Sequence, residues 1–167
     1  MVIQIDSREK PRAIQKIIAE FDRQGIKHPV SKLLVGDYMN LDNPKLIIDR
    51  KQNLSELCSN VCQGHERFTN EIKRAIDNEI KLVFLVEHGS DITCLEDVIF
   101  WNNPRGLRRT KSAGRWVTVK TKATSGETLY KILSTIERKY GVQFLFCSKE
   151  QTGAKIVEIL NGDKGRD

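Results

Sequence analysis

The sequence predicts an α/β fold in which a central mixed sheet is flanked by helices. Short apolar runs, typical of buried strands, alternate with segments whose apolar residues recur at helical spacing. Such an alternation along 167 residues favours one sheet covered by helices. No linker or internal repeat interrupts it, so we expect a single domain over 1–160 and a frayed tail over 161–167.

The N-terminal part predicts a strand, a helix and a hairpin. The apolar run 2–5 is a short strand, and Pro11 can open the next helix because its ring presets the first helical φ angle. Strands over about 30–39 and 45–49 follow, and the residues between them are turn-forming. A hairpin is therefore expected.

Two amphipathic helices and a buried strand come next. Leu54 begins a helix with apolar residues at helical spacing, and Gln63-Gly64-His65 ends it. The second helix is expected to bury one face, made of Phe68, Ile72, Ala75 and Ile76. The nearly all-apolar run 80–86 is typical of a strand covered on both sides.

The C-terminal part begins with a looser pattern over 88–114. Its predicted elements are one helical turn near 95–99, an exposed strand or ribbon over 115–121, a helix after Gly126, a buried strand over 142–147 and a last helix. Ser148 and Gln151 have the spacing of a capping box for that last helix.

The excess positive charge is concentrated in one segment. The chain carries a net charge of +6, yet no Asp or Glu occurs between Val98 and Gly126. The seven basic residues there are Arg105, Arg108, Arg109, Lys111, Arg115, Lys120 and Lys122. We call 99–125 the basic segment and expect it to contact a polyanion. Trp101 and Trp116 lie in it, either as base-stacking residues or as core; a solvated charged face is the plainer alternative.

The cysteines and the hydropathy favour an intracellular protein. Four cysteines without a disulfide-like pattern suggest a reducing setting, and neither a signal peptide nor a membrane span is evident. The spacing of Cys58, Cys62 and His65 could suggest zinc, but a buried helix face explains it better. We expect a cytoplasmic protein, in the host cytoplasm if phage-encoded.

Two acidic residues each follow an apolar run and suggest a metal site. Asp37 stands alone, whereas Asp49 is followed two positions later by Lys51. Alternate residues of a strand share a face, so the carboxylate and the amine would lie together while Arg50 points elsewhere. If the hairpin brings Asp37 alongside, two oxygen ligands for a divalent cation meet an ammonium group. Structural ion pairing is the alternative.

Several motifs occurring in order resemble the XPF-type structure-specific endonuclease domain. Its signature, GD…ERKxxxD after a strand that ends in D-x-R-E, is matched at 5–9, 34–38 and 48–51. The segment 64–68 and the following helix and strand also match in order. The resemblance covers most of 1–98 and 126–160, so the basic segment lies outside it.

The resemblance implies a restriction-endonuclease-like core and a site that holds Mg²⁺ or Mn²⁺. Asp37 and Asp49 would bind the metal, and Lys51 would orient or activate the attacking water. Asp6 and Arg8 would lie at the rim, and Arg50 would give a supporting contact. Arg67 would contact DNA. Beside such a site, the seven basic residues and Trp116 of the basic segment, which lies outside the resemblance, are expected to contact DNA through their charge and the indole.

Three positions depart from the signature. Asp49 replaces the usual Glu, and Ser55 stands where the closing Asp is expected, so Glu56 is the nearest acidic replacement. His65 replaces a frequent Arg after Gly64.

The resemblance also implies a substrate and an assembly. We expect an endonuclease that cuts branched, flap or junction DNA. A non-catalytic DNA-binding subunit that positions a partner, and a sequence-specific restriction enzyme on the same core, are the alternatives. The helices over 127–139 and 152–160 would offer apolar faces for a homodimer.

Overall fold

The computed structural model describes residues 1–89 and 91–162. Its strands are β1 (Ile3–Asp6), β2 (Val30–Ser31), β3 (Tyr38–Asn40), β4 (Asn43–Lys51), β5 (Lys81–Glu87), β6 (Leu107–Ser112), β7 (Arg115–Lys120) and β8 (Gln143–Cys147). Its helices are α1 (Gln15–Arg23), α2 (Leu54–Cys62), α3 (His65–Asp77), α4 (Gly126–Tyr140) and α5 (Thr152–Asn161). Short 3₁₀ turns lie at Pro11–Ala13, Glu96–Phe100 and Pro104–Gly106.

The main sheet is mixed, as predicted. Its strand order is β2-β1-β3-β4-β5-β8. β3 pairs antiparallel with β1 and β4, whereas β5 runs parallel to both β4 and β8. The connections between the parallel strands contain helices, which cover the sheet and bury both of its faces.

Alternation along β4 sends neighbouring residues into two different cores. Ile47 packs in the cluster formed with α2, α3 and α4, while Ile48 packs in the cluster formed with α1 and α5. The same alternation continues to the end of the strand. Asp49 and Lys51 therefore lie on the α2–α3 face, and Arg50 lies on the α1–α5 face.

The predicted strand over 30–39 was wrong in its length. Only Val30–Ser31 and Tyr38–Asn40 are strands, and the first pairs parallel with β1 while the second pairs antiparallel with β4. The chain bends between them because the Asp6 carboxylate accepts a hydrogen bond from the backbone N–H of Leu33, at 2.6 Å.

Gly36 completes that bend just before Asp37. Its φ angle is +63°, and an added Cβ would come within 2.6 Å of Ile47 Cγ2. A side chain at this position would be strained and would also strike β4. Glycine at position 36 therefore allows the backbone just before Asp37 to approach β4 closely.

The predicted exposed ribbon over 115–121 is confirmed, but its second strand was missed. β6 and β7 form a separate antiparallel pair with Lys111 opposite Trp116. Ala113 and Gly114 make the turn with φ angles of +48° and +77°, as a two-residue hairpin loop requires. We call β6–β7 the basic ribbon.

The two tryptophans of the basic segment have different environments. Trp101 is buried among the residues that pack beneath α4, so it belongs to the core. Trp116 is 59% exposed on the basic ribbon. The prediction that either residue could stack on a base therefore applies only to Trp116.

The last helix does not use the predicted capping box. α5 begins at Thr152, and no side chain caps it; the Gln151 N–H donates only to the Ser148 carbonyl. The Thr152 hydroxyl instead donates to Glu87 at 3.1 Å. The same hydroxyl also lies 3.2 Å from the Lys149 carbonyl and 3.3 Å from the Ser148 carbonyl.

The apolar faces expected to form a homodimer are largely used inside the protein. Leu129, Leu133 and Ile136 of α4 lie in one core cluster, and Ile156 and Leu160 of α5 lie in the other. A dimer through these helices would need other residues. Homodimerisation stays a prediction.

Two smaller expectations were wrong. Pro11 opens a 3₁₀ turn rather than α1 itself, and Ile76 is 46% exposed instead of core. Over the described residues, the structure contains no helix that is both long and apolar enough to cross a membrane. The frayed tail falls mainly on 163–167, which lie outside the described residues.

Candidate active site

The hairpin places Asp37 and Asp49 near each other. Tyr38 pairs with Ile48 in the antiparallel register, which brings the preceding Asp37 near Asp49, whose charge acts on it. The Asp37 N–H donates to the Ile48 carbonyl at 2.8 Å. Asp37 Oδ2 accepts a hydrogen bond from the Arg50 N–H, also at 2.8 Å. The backbone of β4 therefore fixes the orientation of the Asp37 carboxylate.

Lys51 lies beside Asp49 on the same face of β4. Its Nζ is 2.7 Å from Asp49 Oδ1, and both side chains are at most 10% exposed. The ammonium also lies 5.9 Å from the ring centroid of Phe68 and 5.7 Å from that of Phe84. Both aromatic rings favour a cation at this distance, so they hold the ammonium next to the carboxylates.

Glu71 on α3 joins this group, and sequence reasoning missed it. Its Oε1 accepts a hydrogen bond from the Gly36 N–H at 3.1 Å, and its charge acts on both Asp49 and Lys51. The signal was present: Glu71 lies three residues after Phe68, on the core-facing side of an amphipathic helix. An acidic residue on the apolar face of a helix indicates a hydrogen-bond donor or a cation nearby in the folded protein.

A cavity opens next to these residues between α2 and α3. It has a volume of about 280 Å³ and is lined by Lys51, Glu56, Asn60, Gly64, Arg67, Phe68 and Glu71. Glu56 lies within reach of Asp49 electrostatically, although its Oε2 also accepts a hydrogen bond from the Gln52 N–H. Arg67 supplies a cation at the wall. Lys51 and Glu71 connect this wall to Asp37 and Asp49, which are not among its lining residues.

Arg50 contacts the opposite core and not this cavity. Its guanidinium donates to Glu9 at 2.9 Å and to Glu87 at 3.0 Å, with 1% of the side chain exposed. Glu87 in turn accepts from Thr152 of α5. The Arg50 side chain on β4 thus binds Glu9 as well as Glu87 of β5, and through Glu87 it is linked to α5. Its backbone N–H orients Asp37.

Asp6 and Arg8 form an ion pair with each other, and their place at the rim of the site stays a prediction. Both Asp6 oxygens are engaged, by Leu33 and by the Arg8 backbone and guanidinium. Burial opposes its ionisation, but these bonds hold the pKa of Asp6 below its usual value. Asp6 therefore shapes the bend that carries Asp37. Arg8 is 53% exposed and close enough for the charges of Glu71 and Asp37 to act on it.

The facing carboxylates have raised pKa values. Burial, then the charge of Asp49 and that of Glu9, hold the pKa of Asp37 well above its usual range. Burial raises the pKa of Asp49 to about 6, with Lys51 opposing the shift and Glu71 adding to it. Burial alone would lower the pKa of Lys51, but Asp49 and Asp37 reverse the direction. The cluster of Asp37, Asp49, Glu71 and Lys51 therefore has too little positive charge to balance its carboxylates.

A divalent cation would correct that shortage. Asp49 Oδ1 is buried, and the polar contact that the described residues give it is the Lys51 ammonium at 2.7 Å. Within 1–89 and 91–162, no three His, Cys, Asp or Glu side chains form a ready-made metal cluster. Mg²⁺ commonly binds through only one or two carboxylates, with water and substrate phosphates completing its shell. Asp37 and Asp49 fit that mode.

The basic segment contributes a second cavity and the basic ribbon. A cavity of about 290 Å³ beside α2 is lined partly by Ser59, Cys62, Arg105 and Lys122. Cys62 is exposed there, near Thr124, while Cys58 is core. The other basic residues of the segment, Arg108, Arg109, Lys111, Arg115 and Lys120, are exposed on the ribbon.

Solved structures share this fold. XPF from Aeropyrum pernix is similar, with a TM-score of 0.64 and 16% identity over 99% of this chain and 66% of that chain. XPF from Aeropyrum pernix in a complex with DNA gives a TM-score of 0.62 and 17% identity, covering 95% of this chain and 62% of that chain. This chain spans just under two thirds of their length. The similarity confirms the restriction-endonuclease-like core.

A family model extends the match to the sequence. No curated protein matches the chain at a significant level. The model described as the ERCC4 domain, however, matches residues 5–160. That range includes both facing carboxylates, Lys51 and the helices that build the cavity. The chain therefore belongs to the ERCC4 domain family.

Proposed function

We propose that this protein is a divalent-metal-dependent endonuclease that hydrolyses phosphodiester bonds in branched, flap or junction DNA. The observation that carries the proposal is the pair of facing carboxylates, Asp37 and Asp49, beside the Lys51 ammonium at an open cavity. Membership in the ERCC4 domain family and the fold shared with a DNA-bound XPF support it.

Asp37 and Asp49 would hold the metal, which when bound supplies Lewis acidity and neutralises charge at the scissile phosphate. Lys51 stays protonated among three carboxylates, so it would orient the attacking water and stabilise negative charge rather than take a proton. Glu71 fixes the Gly36 backbone and with it the position of Asp37. Glu56 and Arg67 would contact water and phosphate at the cavity wall.

Metal affinity is expected to rise with pH and then level off. Asp49 has a pKa of about 6 and that of Asp37 is also raised, so below these values a metal must displace protons. Each displaced proton makes affinity change about tenfold per pH unit. Calorimetric titration of Mn²⁺ from about pH 5 to about pH 8 should show affinity rising with pH. Affinity independent of pH would contradict the assignment.

The raised carboxyl pKa values have the opposite effect on folding stability in the absence of metal: stability falls as the pH rises. A carboxyl whose pKa is higher in the folded protein binds its proton more tightly there than in the unfolded chain. The stabilisation that this proton gives the folded protein is fully present below the carboxyl's pKa in the unfolded chain. It is lost as the pH rises through the carboxyl's pKa in the folded protein. For Asp49 that window runs from 3.8 to about 6. Thermal unfolding in chelator should show stability declining across it, apart from the titration of other groups.

A panel of labelled DNAs tests the function directly. Linear duplex, flap, fork and four-way junction should be incubated with Mg²⁺, with Mn²⁺ and with chelator. The proposal expects metal-dependent nicks in the branched substrates. Binding without cleavage in any metal would favour a non-catalytic subunit, and fixed cuts in linear duplex would favour a restriction enzyme.

A further inference from the structure

The basic ribbon is built from side chains that the fold does not use. Both of its strands are exposed, and none of the buried core residues lies in it. None of the ion pairs formed within the described residues includes a basic side chain of the segment. Five cations kept close together without carboxylates repel one another. An arrangement of this kind is suited to an anionic partner.

One face of the ribbon combines cations with an aromatic surface. Lys111 lies opposite Trp116 in the register, and Arg109 follows on the same face. The Arg109 guanidinium is 5.6 Å and the Lys111 ammonium 5.5 Å from the indole. The indole nevertheless remains 59% exposed. This set of groups can stack on a nucleobase while it neutralises the flanking phosphates.

The foot of the ribbon meets α2, which also lines the site cavity. The Arg105 guanidinium donates to Ser59 Oγ at 3.3 Å, and Lys122 lines the same second cavity. Glu56 and Asn60, on the adjacent face of α2, line the first cavity. The two cavities therefore lie on adjacent faces of α2.

We propose that the basic ribbon binds an unpaired DNA strand and directs it toward the site. Arg105 and Lys122 would contact its phosphates beside α2, and Trp116 would stack on one base. Paired bases hide their faces within the duplex, so only a single-stranded arm can use the indole. The inference rests on the proposed function and adds the part of the substrate that is recognised: the unpaired arm.

Fluorescence can isolate this contact. Trp101 is buried, so stacking on Trp116 should dominate any quenching when a single-stranded oligonucleotide is added in chelator. Trp116→Ala should lower affinity for that oligonucleotide by about 5- to 150-fold, the usual range for one stacked base. Trp116→Phe should retain much of the affinity. Val117→Ala, on the other face of the ribbon, is the matched control and should bind as the wild type does.

Salt dependence tests the phosphate contacts. Each phosphate neutralised in a single strand contributes about −0.7 to the slope of log affinity against log salt. Arg105→Ala with Lys122→Ala should therefore make the slope about 1.4 less steep. The control is Arg138→Ala with Lys139→Ala, which removes equal charge from the far end of α4. An equal change in both variants would overturn the proposal.

A negative result for strand binding by the basic ribbon can be distinguished from a negative result for the nuclease assignment. Binding in chelator is measured without cleavage, so loss of affinity in Trp116→Ala would support the ribbon even if no DNA is cut. If Trp116→Ala cleaves normally and binds single strands with unchanged affinity, strand binding by the ribbon is contradicted, but the proposed nuclease function is not. Tighter binding to linear duplex, or to single-stranded RNA, than to single-stranded DNA would also overturn it.

Discussion

Asp37→Asn is expected to abolish metal-dependent cleavage while leaving DNA binding intact. The amide oxygen of Asn can still accept the hydrogen bond from the Arg50 N–H that orients Asp37. The substitution removes one metal ligand and one negative charge and keeps the shape. Loss of metal assistance costs several kcal/mol in the transition state, so the rate should fall by at least about a thousandfold.

The same hairpin supplies the control. Asp42 lies in the turn at its other end and is exposed, so Asp42→Asn makes an identical chemical change away from the cavity. Single-turnover cleavage and anisotropy in chelator should be measured for both variants. If Asp37→Asn cuts at the rate of Asp42→Asn, the two facing carboxylates are not the metal site.

Arg50→Met is expected to have the largest effect on stability. The substitution leaves Glu9 and Glu87 without their cation, and the two carboxylates are 11% and 4% exposed. Removing one partner of a buried ion pair costs about 3–5 kcal/mol. For a chain of this size, the melting temperature should fall by roughly 10 °C.

An exposed ion pair provides the comparison. Lys155 lies 2.9 Å from Glu158 on the surface of α5, and such pairs contribute about 0–1 kcal/mol. Calorimetry of Lys155→Met should therefore show almost no change. Equal destabilisation by the two substitutions would show that burial of Arg50 does not decide its contribution.

The sequence was sufficient to pair the two acidic residues. A turn between two apolar runs predicts a hairpin, and a period of two assigns Asp49 and Lys51 to one face. These are local rules, and the structure follows them. Family resemblance then supplied the restriction-endonuclease-like core, which composition alone could not distinguish from other α/β folds.

The remaining features depend on contacts distant in the sequence. Glu71 reaches Gly36 only because α3 docks on the sheet. The strand over 30–39 is interrupted because Asp6, far away along the chain, captures the Leu33 N–H. β6 was missed since polar side chains cover both of its faces, which leaves no alternation to read.

The way in which the basic ribbon leaves the fold has a consequence for change over evolutionary time. The Thr121 N–H donates to the Gly106 carbonyl at 2.9 Å, so the chain departs and returns at one point. Insertions or deletions between these two residues need not alter the order or register of the main sheet. The hairpin can therefore vary in length and sequence while the main sheet stays the same.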